Sequence, residues 1–275
     1  MQQRIYQQGI QTKRLSDWGL SRTGGATLLL NAPKEDLSEE ESAALKDFLG
    51  VGGNLVLCSS AGLDLPTLFG TLAMYGATFR QGMVVETQEG HYLADYKNCL
   101  LPDIMDASQL DMPYIDSAIL MPLAHPIALA PIREGVTLKK LAATSAAAYV
   151  QAQVSSEIEQ VDDTQAYEAL SVAALIEDNN SGARIAWFAS GEFLSEASDE
   201  VVGAGNTNML LATLEWMYQD DMQIDLAQST PLGSNLQMNT LQKGMYYFLL
   251  CIVSPLLLLG GGLFIAARRK KLSGA

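Results

Sequence analysis

The chain has few of the residues that build metal sites and reactive centres. Its 275 residues include two histidines, His91 and His125, and three cysteines. Two histidines are too few for a histidine-rich metal site, and the acidic residues near them show no ligand spacing such as H-E-x-x-H. The sequence also lacks a P-loop, a G-x-G-x-x-G fingerprint and a zinc-binding pattern. We therefore expect no catalytic residue, no cofactor-binding residue and no metal ligand, and the motifs favour a protein that is not an enzyme.

The cysteines are too few and too scattered for a disulfide framework. Cys58 and Cys99 precede the apolar C-terminal stretch and Cys251 lies inside it. A Cys58–Cys99 bridge stays open, but Cys58 ends an apolar strand-like run, which favours a buried free thiol. The sequence CSSAG also allows a nucleophile elbow completed by His125 and an acid. Because an elbow needs small residues close around the nucleophile, and Gly62 comes four residues later, a cysteine hydrolase or amidotransferase relative is the weaker alternative.

Positive charge is scarce before residue 245. That part of the chain holds 13 lysines and arginines against 31 aspartates and glutamates, a net charge near −18. Nucleic acid and anionic lipid both need a cationic surface, so this composition argues against either as a partner of the soluble part. The pairs Asp162–Asp163 and Asp220–Asp221 lack the D-x-D-x-D-G spacing of a calcium loop, and we expect solvated loops there.

The longest uncharged stretch runs from Met245 to Ala267. Its 23 residues would form a helix of about 35 Å, enough to cross a hydrocarbon core of about 30 Å. Tyr246 and Tyr247 suit an interfacial aromatic belt, and four basic residues follow from Arg268. The sequence therefore predicts a transmembrane helix over 245–267 with a basic cytoplasmic tail over 268–275. The bulk of the chain would lie outside the plasma membrane.

An extracytoplasmic domain needs an export signal, and the N-terminal stretch MQQRIYQQGIQTKRLSDWG has no apolar core. We expect the functional protein to have a longer N-terminus than this sequence. The alternatives are export driven by the last helix alone, or a cytoplasmic domain with an external RRKK, which violates the charge rule.

Strand and helix patterns alternate at the start of the soluble part. ATLLLNAP, Ala26 to Pro33, and NLVLCSS, Asn54 to Ser60, are apolar runs typical of strands covered on both faces. Between them, Ser38 and Glu41 have the spacing of a capping box. A strand, a helix and a strand at this spacing predict a right-handed parallel crossover. LPTLFGTLAMYG then predicts a second helix.

The later part of the chain predicts short strands, a hairpin and a long helix. SVAALIED and ARIAWFAS are strand-like runs separated by DNNSG, which is typical of a hairpin turn. NTNMLLATLEWMYQD predicts a helix with one apolar face, formed by Met209, Leu210, Leu214 and Met217. We assign residues 1–220 to an extracytoplasmic α/β domain and the polar residues 221–244 to a juxtamembrane connector.

Several segments together resemble the gliding-motility-associated (GldG-like) auxiliary proteins of ABC transporters. They are NAPKEDLSEEESAALKDFLGVGGNLVLCSS, AHPIALAP, LKKLAATSAAAY, ARIAWFASGEFLS and GNTNMLLATLEWM, followed by the apolar stretch and its basic end. The resemblance implies a parallel-rich sheet flanked by helices, similar to a glutamine-amidotransferase or flavodoxin-like fold without its catalytic equipment. It also implies an ABC permease and an ATPase as partners, and it transfers no catalytic residue to this chain.

The sequence therefore predicts a membrane-anchored accessory subunit of an ABC transporter, with an extracytoplasmic domain that scaffolds, gates or contacts cargo. Its partners would be the lipid bilayer and the permease and ATPase subunits, and its ligand is unknown. The alternative is a membrane-tethered module that binds envelope glycan or peptide. Trp18, Trp187 and Trp216 would supply stacking surfaces in such a module. However, Trp187 in a strand and Trp216 in an amphipathic helix are more typical of a core.

Overall fold

A mixed β-sheet with helices on both faces forms the centre of the folded part of the chain. The computed structural model describes residues 26–105, 117–155, 157–158 and 166–218. Contacts divide the chain into a unit Met1–Ala227 and a unit Gln228–Ala275, and all described residues belong to the first. The predicted connector 221–244, transmembrane helix 245–267 and tail 268–275 lie outside the described residues. No helix within the described ranges has the length and apolarity to cross a membrane.

The described elements are four helices and thirteen strands. The helices are α1 (Glu39–Gly50), α2 (Pro66–Ala73), α3 (Glu196–Val201) and α4 (Gly205–Tyr218). The strands of the central sheet are β1 (Thr27–Asn31), β2 (Asn54–Cys58), β3 (Ala77–Phe79), β7 (Asp103–Ile104), β9 (Ile127–Leu129), β10 (Val136–Ala143), β12 (Ser171–Asp178) and β13 (Ala183–Phe188). The strands outside it are β4 (Met83–Val85), β5 (Tyr92–Leu93), β6 (Tyr96–Leu100), β8 (Met121–Pro122) and β11 (Tyr149–Gln151).

The predicted parallel crossover is confirmed. Strand β1 pairs in parallel with β2, from Thr27 opposite Asn54 to Asn31 opposite Cys58, and α1 connects the two strands. Helix α1 begins with the predicted capping box. The Ser38 hydroxyl accepts from the Glu41 backbone N–H at 3.2 Å, and the Glu41 carboxylate accepts from the Ser38 N–H at 2.9 Å. This reciprocal pairing satisfies two of the N–H groups that a helix start leaves without a partner.

The fold class α/β is confirmed, but the expected parallel-rich sheet is wrong. The main path of the sheet is β1-β2-β13-β12-β10-β7, and only its first two pairings are parallel. Strand β12 returns through a hairpin turn into β13, as the sequence DNNSG predicts, and β10 also pairs antiparallel with β12. Each further parallel strand would need a crossover connection. The described residues between α2 and α3 contain no helix that could supply one.

Alternating side chains of the central strands build two cores. On one face, Leu55 and Leu57 of β2 pack with Trp187 against α1 and α2. On the other face, Val56 and Cys58 pack with residues of α4. This follows from the period of two in a strand that is covered on both sides. Helix α4 buries its predicted apolar face, and it also buries polar residues such as Asn206 and Thr213, so it is enclosed on more sides than the sequence pattern indicated.

Candidate functional site

A buried serine–histidine–tryptophan network lies at the carboxyl edge of the parallel strands. Ser59 follows β2 directly, Trp187 lies near the end of β13, and His125 lies in the loop before β9. The Ser59 Oγ lies 2.7 Å from the His125 Nε2 and 2.7 Å from the Trp187 Nε1. All three residues are fully buried.

Backbone pairing and aromatic packing hold the network in place. The Ser59 N–H donates to the Phe188 carbonyl at 3.0 Å, which extends the β2–β13 pairing by one residue. The His125 N–H donates to the Ala189 carbonyl at 2.9 Å. The His125 ring meets Phe79 edge-on, with ring centroids 4.6 Å apart. The imidazole is thus held by the sheet on one side and by aromatic rings on the other.

Burial sets the protonation state of the histidine. Desolvation lowers the pKa of His125 from 6.5 to about 4, although its hydrogen bond to the Pro126 carbonyl opposes this shift. The neutral ring donates its Nδ1–H to Pro126 O at 3.1 Å, so Nε2 must accept. The Ser59 hydroxyl then donates to His125 and accepts the Trp187 indole N–H. Every polar atom of the network has a partner.

The network has two elements of a hydrolase centre, a hydroxyl and an imidazole within hydrogen-bond distance. Two features of this geometry differ from those of an acyl-transfer centre. Both groups are fully buried, so a substrate has no access to the Ser59 hydroxyl. The group that orients His125 is the Pro126 carbonyl, which cannot balance an imidazolium charge as a carboxylate does. The chemistry that this geometry supports is internal hydrogen bonding that joins β2, β13 and the loop before β9.

Cys58, the nucleophile in the weaker sequence hypothesis, does not meet His125. Its side chain is fully buried, and desolvation raises the pKa of the thiol far above its ordinary value. A thiol in that state is a poor nucleophile because the thiolate is the reactive form. Cys99 is half-buried with a raised pKa, also through desolvation, and both cysteines are free thiols, so the open Cys58–Cys99 bridge is absent. The sequence showed no signal that Ser59, rather than its neighbour, contacts a histidine 66 residues away.

The backbone around the network is closely packed. A β-carbon at Gly191 would meet the Ser60 hydroxyl oxygen and lie 3.3 Å from the Ala32 β-carbon. Ala32 itself takes a φ of +48°, in the left-handed region that non-glycine residues rarely adopt. The Ser190 hydroxyl donates to the Pro122 carbonyl at 2.6 Å. The loops that follow β1, β2 and β13 are therefore packed directly against one another.

A second polar network lies at the opposite, amino edge of the same three strands. The Arg184 guanidinium donates from Nη1 to the Trp216 and Met217 carbonyls, at 2.8 and 3.2 Å. It also donates from Nε and Nη2 to the Glu177 carboxylate, at 3.1 and 3.0 Å. The Arg184 guanidinium carbon also lies over the Trp216 ring, 5.5 Å from the ring centroid. Arg184 thus satisfies carbonyls that the end of a helix leaves open and balances their partial negative charge.

The first residues of β1 and β2 complete this second network. The Thr27 hydroxyl donates to the Tyr218 hydroxyl at 2.9 Å. The Asn54 amide contacts the Met217 carbonyl at 3.5 Å and accepts from the Arg184 N–H at 3.1 Å. We call Thr27, Asn54, Glu177 and Arg184, with the last three residues of α4, the helix clamp. It fixes the end of α4 against the first residues of β1, β2 and β13.

The remaining candidate residues are dispersed. The His91 Nε2 lies 3.0 Å from the Gln88 amide nitrogen, and its Nδ1 lies 3.7 Å from the Asp103 carboxylate. Among the described residues, no group of three or more histidine, cysteine or acidic side chains is arranged to hold a metal ion. The pairs Asp162–Asp163 and Asp220–Asp221 lie outside the described residues.

The three tryptophans do not form a stacking surface in the described structure. Trp187 is fully buried and Trp216 is 3% exposed, so both belong to the core, as their positions in a strand and an amphipathic helix indicated. Trp18 lies outside the described residues. The envelope-binding alternative therefore draws no support from Trp187 or Trp216.

Comparison with known proteins supports the α/β architecture and indicates neither a family nor a function. A scan against protein-family models finds no match, and neither does a search of curated proteins. Among solved structures, the chain is similar to one described as "mmIFT52 N-terminal domain", with 14% identity and a TM-score of 0.51. The similarity covers 71% of this chain and 78% of that chain. At this level of identity the similarity is one of fold, and the chain shares a mixed α/β architecture with that domain.

Proposed function

We propose that this chain is a membrane-anchored accessory subunit of an ABC transporter. The observation that carries the proposal is the uncharged stretch 245–267 with four basic residues after it, behind a domain of strongly acidic composition. A stretch of this length and apolarity suits a membrane anchor, and the basic residues after it favour an acidic domain on the outer side. The segments around ATLLLNAP, AHPIALAP and GNTNMLLATLEWM resemble the GldG-like auxiliary proteins, and this resemblance supports a permease with its ATPase as the proposed partner.

The domain acts in this proposal by contact with other proteins. Its buried hydroxyl, imidazole and thiol are all withdrawn from solvent, which supports a scaffolding or gating role. The finer comparison with glutamine-amidotransferase and flavodoxin-like folds applies to the parallel part, β1-α1-β2 with β13. In this comparison, the carboxyl edge that holds the active site in such enzymes is filled by Ser59, His125 and Gly191.

Co-purification from the native host tests the proposal. A tagged full-length chain, solubilised in mild detergent, should retain a multi-span permease and an ATPase, identified by mass spectrometry. A matched chain that ends at residue 244 keeps the domain and removes the predicted anchor, so it should retain neither partner. A full-length chain that is recovered alone, under conditions that preserve other membrane complexes, contradicts the proposal.

Thiol labelling on intact cells tests the orientation. In a Cys99→Ser background, a Glu192→Cys variant places a thiol on an exposed position of the domain. A Ser273→Cys variant places one beyond the predicted anchor. A membrane-impermeant maleimide should label the first on intact cells and the second only after permeabilisation. The reverse pattern would place the acidic domain in the cytoplasm and remove the basis for the proposal.

A further inference from the structure

Strand β1 forms one end of the central sheet, and among the described strands it pairs only with β2. Two hydrogen bonds just outside its ends show which way its backbone faces. The Ala26 carbonyl accepts from the Asn54 N–H at 2.9 Å, and the Ala32 N–H donates to the Cys58 carbonyl at 2.8 Å. Along a strand, the backbone groups of successive residues point to alternate sides in the plane of the sheet. The even-numbered positions of β1 therefore bond to β2.

The odd-numbered positions of β1 face the open side of the sheet. The N–H and carbonyl groups of Thr27, Leu29 and Asn31 point away from β2, and no described strand lies on that side. The side chain of Leu29, at the centre of the strand, is 42% exposed, whereas that of Leu28 is buried. An open strand edge with an exposed leucine is a template on which a further strand can pair.

The opposite end of the described sheet is protected in a way that β1 is not. Strand β7 is two residues long, and the side chain of its Asp103 is 68% exposed. A short strand and a charged side chain both discourage another strand from pairing at an edge. Strand β1 has five residues, TLLLN, with no charge, no proline and no break in its register. Its open side therefore lacks these protections.

Charge distinguishes between the possible occupants of this edge. Residues 26–244 contain 9 lysines and arginines against 30 aspartates and glutamates, a net charge of −21. Residues 1–25, which lie outside the described residues, contain four basic side chains and one acidic one, a net charge of +3. A second copy of the acidic domain would be repelled, whereas the basic N-terminal segment is attracted.

The N-terminal segment also enters the structure at this edge, because it is joined to β1 by the peptide bond before Ala26. Its last two residues are Gly24 and Gly25. Glycine adopts the positive φ angles that tight reversals of the chain require. A parallel strand would need a crossover connection of a dozen or more residues, whereas an antiparallel strand needs only a short loop. The connection therefore favours an antiparallel hairpin.

Hydrophobic pattern and hydrogen-bond parity together select a register. Residues 18–22, WGLSR, alternate so that both apolar side chains fall on one face of an extended strand. Pairing Leu20 with Leu29 uses an odd-numbered position of β1 and leaves residues 23–26 as a four-residue loop, a length found in natural hairpins. Leu20 then lies beside the exposed Leu29. A shift by one residue would place Ser21 there instead.

We infer that residues 18–22 pair with the open side of β1 as an antiparallel strand, with Leu20 opposite Leu29. The pairing makes the basic N-terminal segment part of the folded domain and covers an uncharged edge strand. The inference goes beyond the proposed function and does not depend on it, since it concerns how the domain completes its own sheet.

Cysteine pairing in the full-length chain tests the register. In a Cys99→Ser, Cys251→Ser background, Leu20→Cys with Leu29→Cys places two thiols at opposite positions, where Cα atoms about 5.5 Å apart permit a disulfide. Oxidation by dissolved oxygen with a copper catalyst should join them within one chain, as seen by mass spectrometry of unreduced peptides. Ser21→Cys with Leu29→Cys is the matched control, because a side chain at residue 21 points to the other face and should stay unbridged.

Three results would overturn the inference. If neither pair forms a disulfide, the segment does not lie on β1. If both pairs form it equally, no fixed register exists. If the disulfides join two different chains, the occupant of the edge is a second copy.

Hydrogen exchange gives a second measurement that needs no cysteine. In the full-length chain in detergent, the Leu29 N–H would donate to the added strand and should exchange slowly. Leu20→Pro removes an N–H from the pairing, so the Leu29 amide should exchange at least about tenfold faster. Gln8→Pro is the control, because it changes the same segment outside residues 18–22 and should leave the rate unchanged. A Leu29 amide that exchanges as fast in the parent as in Leu20→Pro contradicts the inference.

Discussion

The two edges of the same three parallel strands are held together by different chemistry. At the carboxyl edge, Ser59, His125 and Trp187 form a neutral network from which solvent is excluded. At the amino edge, Arg184 and Glu177 form a charged network whose side chains are 12% and 25% exposed. One edge relies on uncharged hydrogen bonds in a dry interior and the other on ions that keep partial contact with water.

The difference follows from the cost of burying charge. A full charge without water loses several kcal/mol of solvation free energy, so groups in a closed interior stay neutral or are closely paired. His125 meets this condition by remaining unprotonated. Arg184 meets it by combining a carboxylate, two helix-end carbonyls and an aromatic face. We therefore expect the stability of the carboxyl edge to depend on pH, and that of the amino edge to depend on salt concentration.

The largest expected effect is the loss of the closed network. His125→Ala should lower the free energy of unfolding by about 3 kcal/mol, because it opens a cavity beside Phe79 and removes the acceptor of the Ser59 hydroxyl. Denaturant unfolding of the purified chain at pH 7.5 measures this. The control is His91→Ala, at a half-buried position, which should cost less than about 1 kcal/mol. If both variants lose the same free energy of unfolding, the network stabilises the fold no more than an ordinary half-buried histidine does.

Acid should weaken the same edge. Because the pKa of His125 is about 4 in the folded chain and ordinarily 6.5, the unfolded chain binds a proton that the folded chain excludes between these values. Stability is therefore complete above about pH 6.5 and falls as the pH falls toward 4. Lowering the pH from 7.5 to 5 should reduce the free energy of unfolding by about 2 kcal/mol from this group. His125→Gln should lose that part of the pH dependence, and an unchanged pH profile would contradict the prediction.

A change at the amino edge should cost less and respond to salt. Arg184→Gln should lower the free energy of unfolding by about 2 kcal/mol, because it leaves Glu177 and two helix-end carbonyls without their donor. Added salt should narrow the gap between parent and variant, since it screens the partly exposed pair. Arg80→Gln is the matched control, because its pair with Glu168 is about half exposed and should contribute less than about 0.5 kcal/mol. If Arg184→Gln lowers the free energy of unfolding as little as the control does, the helix clamp does not stabilise the domain.

The smallest expected effect belongs to the link between β1 and the end of α4. Thr27→Val keeps the shape of the side chain and removes the hydroxyl that donates to Tyr218. We expect a loss of about 0.5–1 kcal/mol. A double-mutant cycle with Tyr218→Phe should give a coupling free energy of similar size. If the two losses of unfolding free energy simply add, the contact contributes nothing to stability.

Local sequence chemistry predicted those elements whose partners lie close in the chain. Ser38 and Glu41 are three residues apart, and the DNNSG turn joins adjacent strands, so both were readable from spacing alone. The contact between Ser59 and His125 spans 66 residues and depends on the sheet order. The sequence predicted a parallel-rich sheet and no strand order, because no local pattern shows that β10 pairs antiparallel with β12. The helix clamp escaped prediction for the same reason, since Thr27 and Tyr218 are 191 residues apart.

The contact between Thr27 and Tyr218 has a consequence for how this domain can be handled as a module. The described part of the chain begins and ends side by side, so a short linker could join residue 218 to residue 26 without stretching either element. New ends could then be opened at Gly90, in an exposed turn with a φ of +90°. With its original ends, the domain could also be inserted into a loop of another protein, because both joins would fall on the same side of the domain.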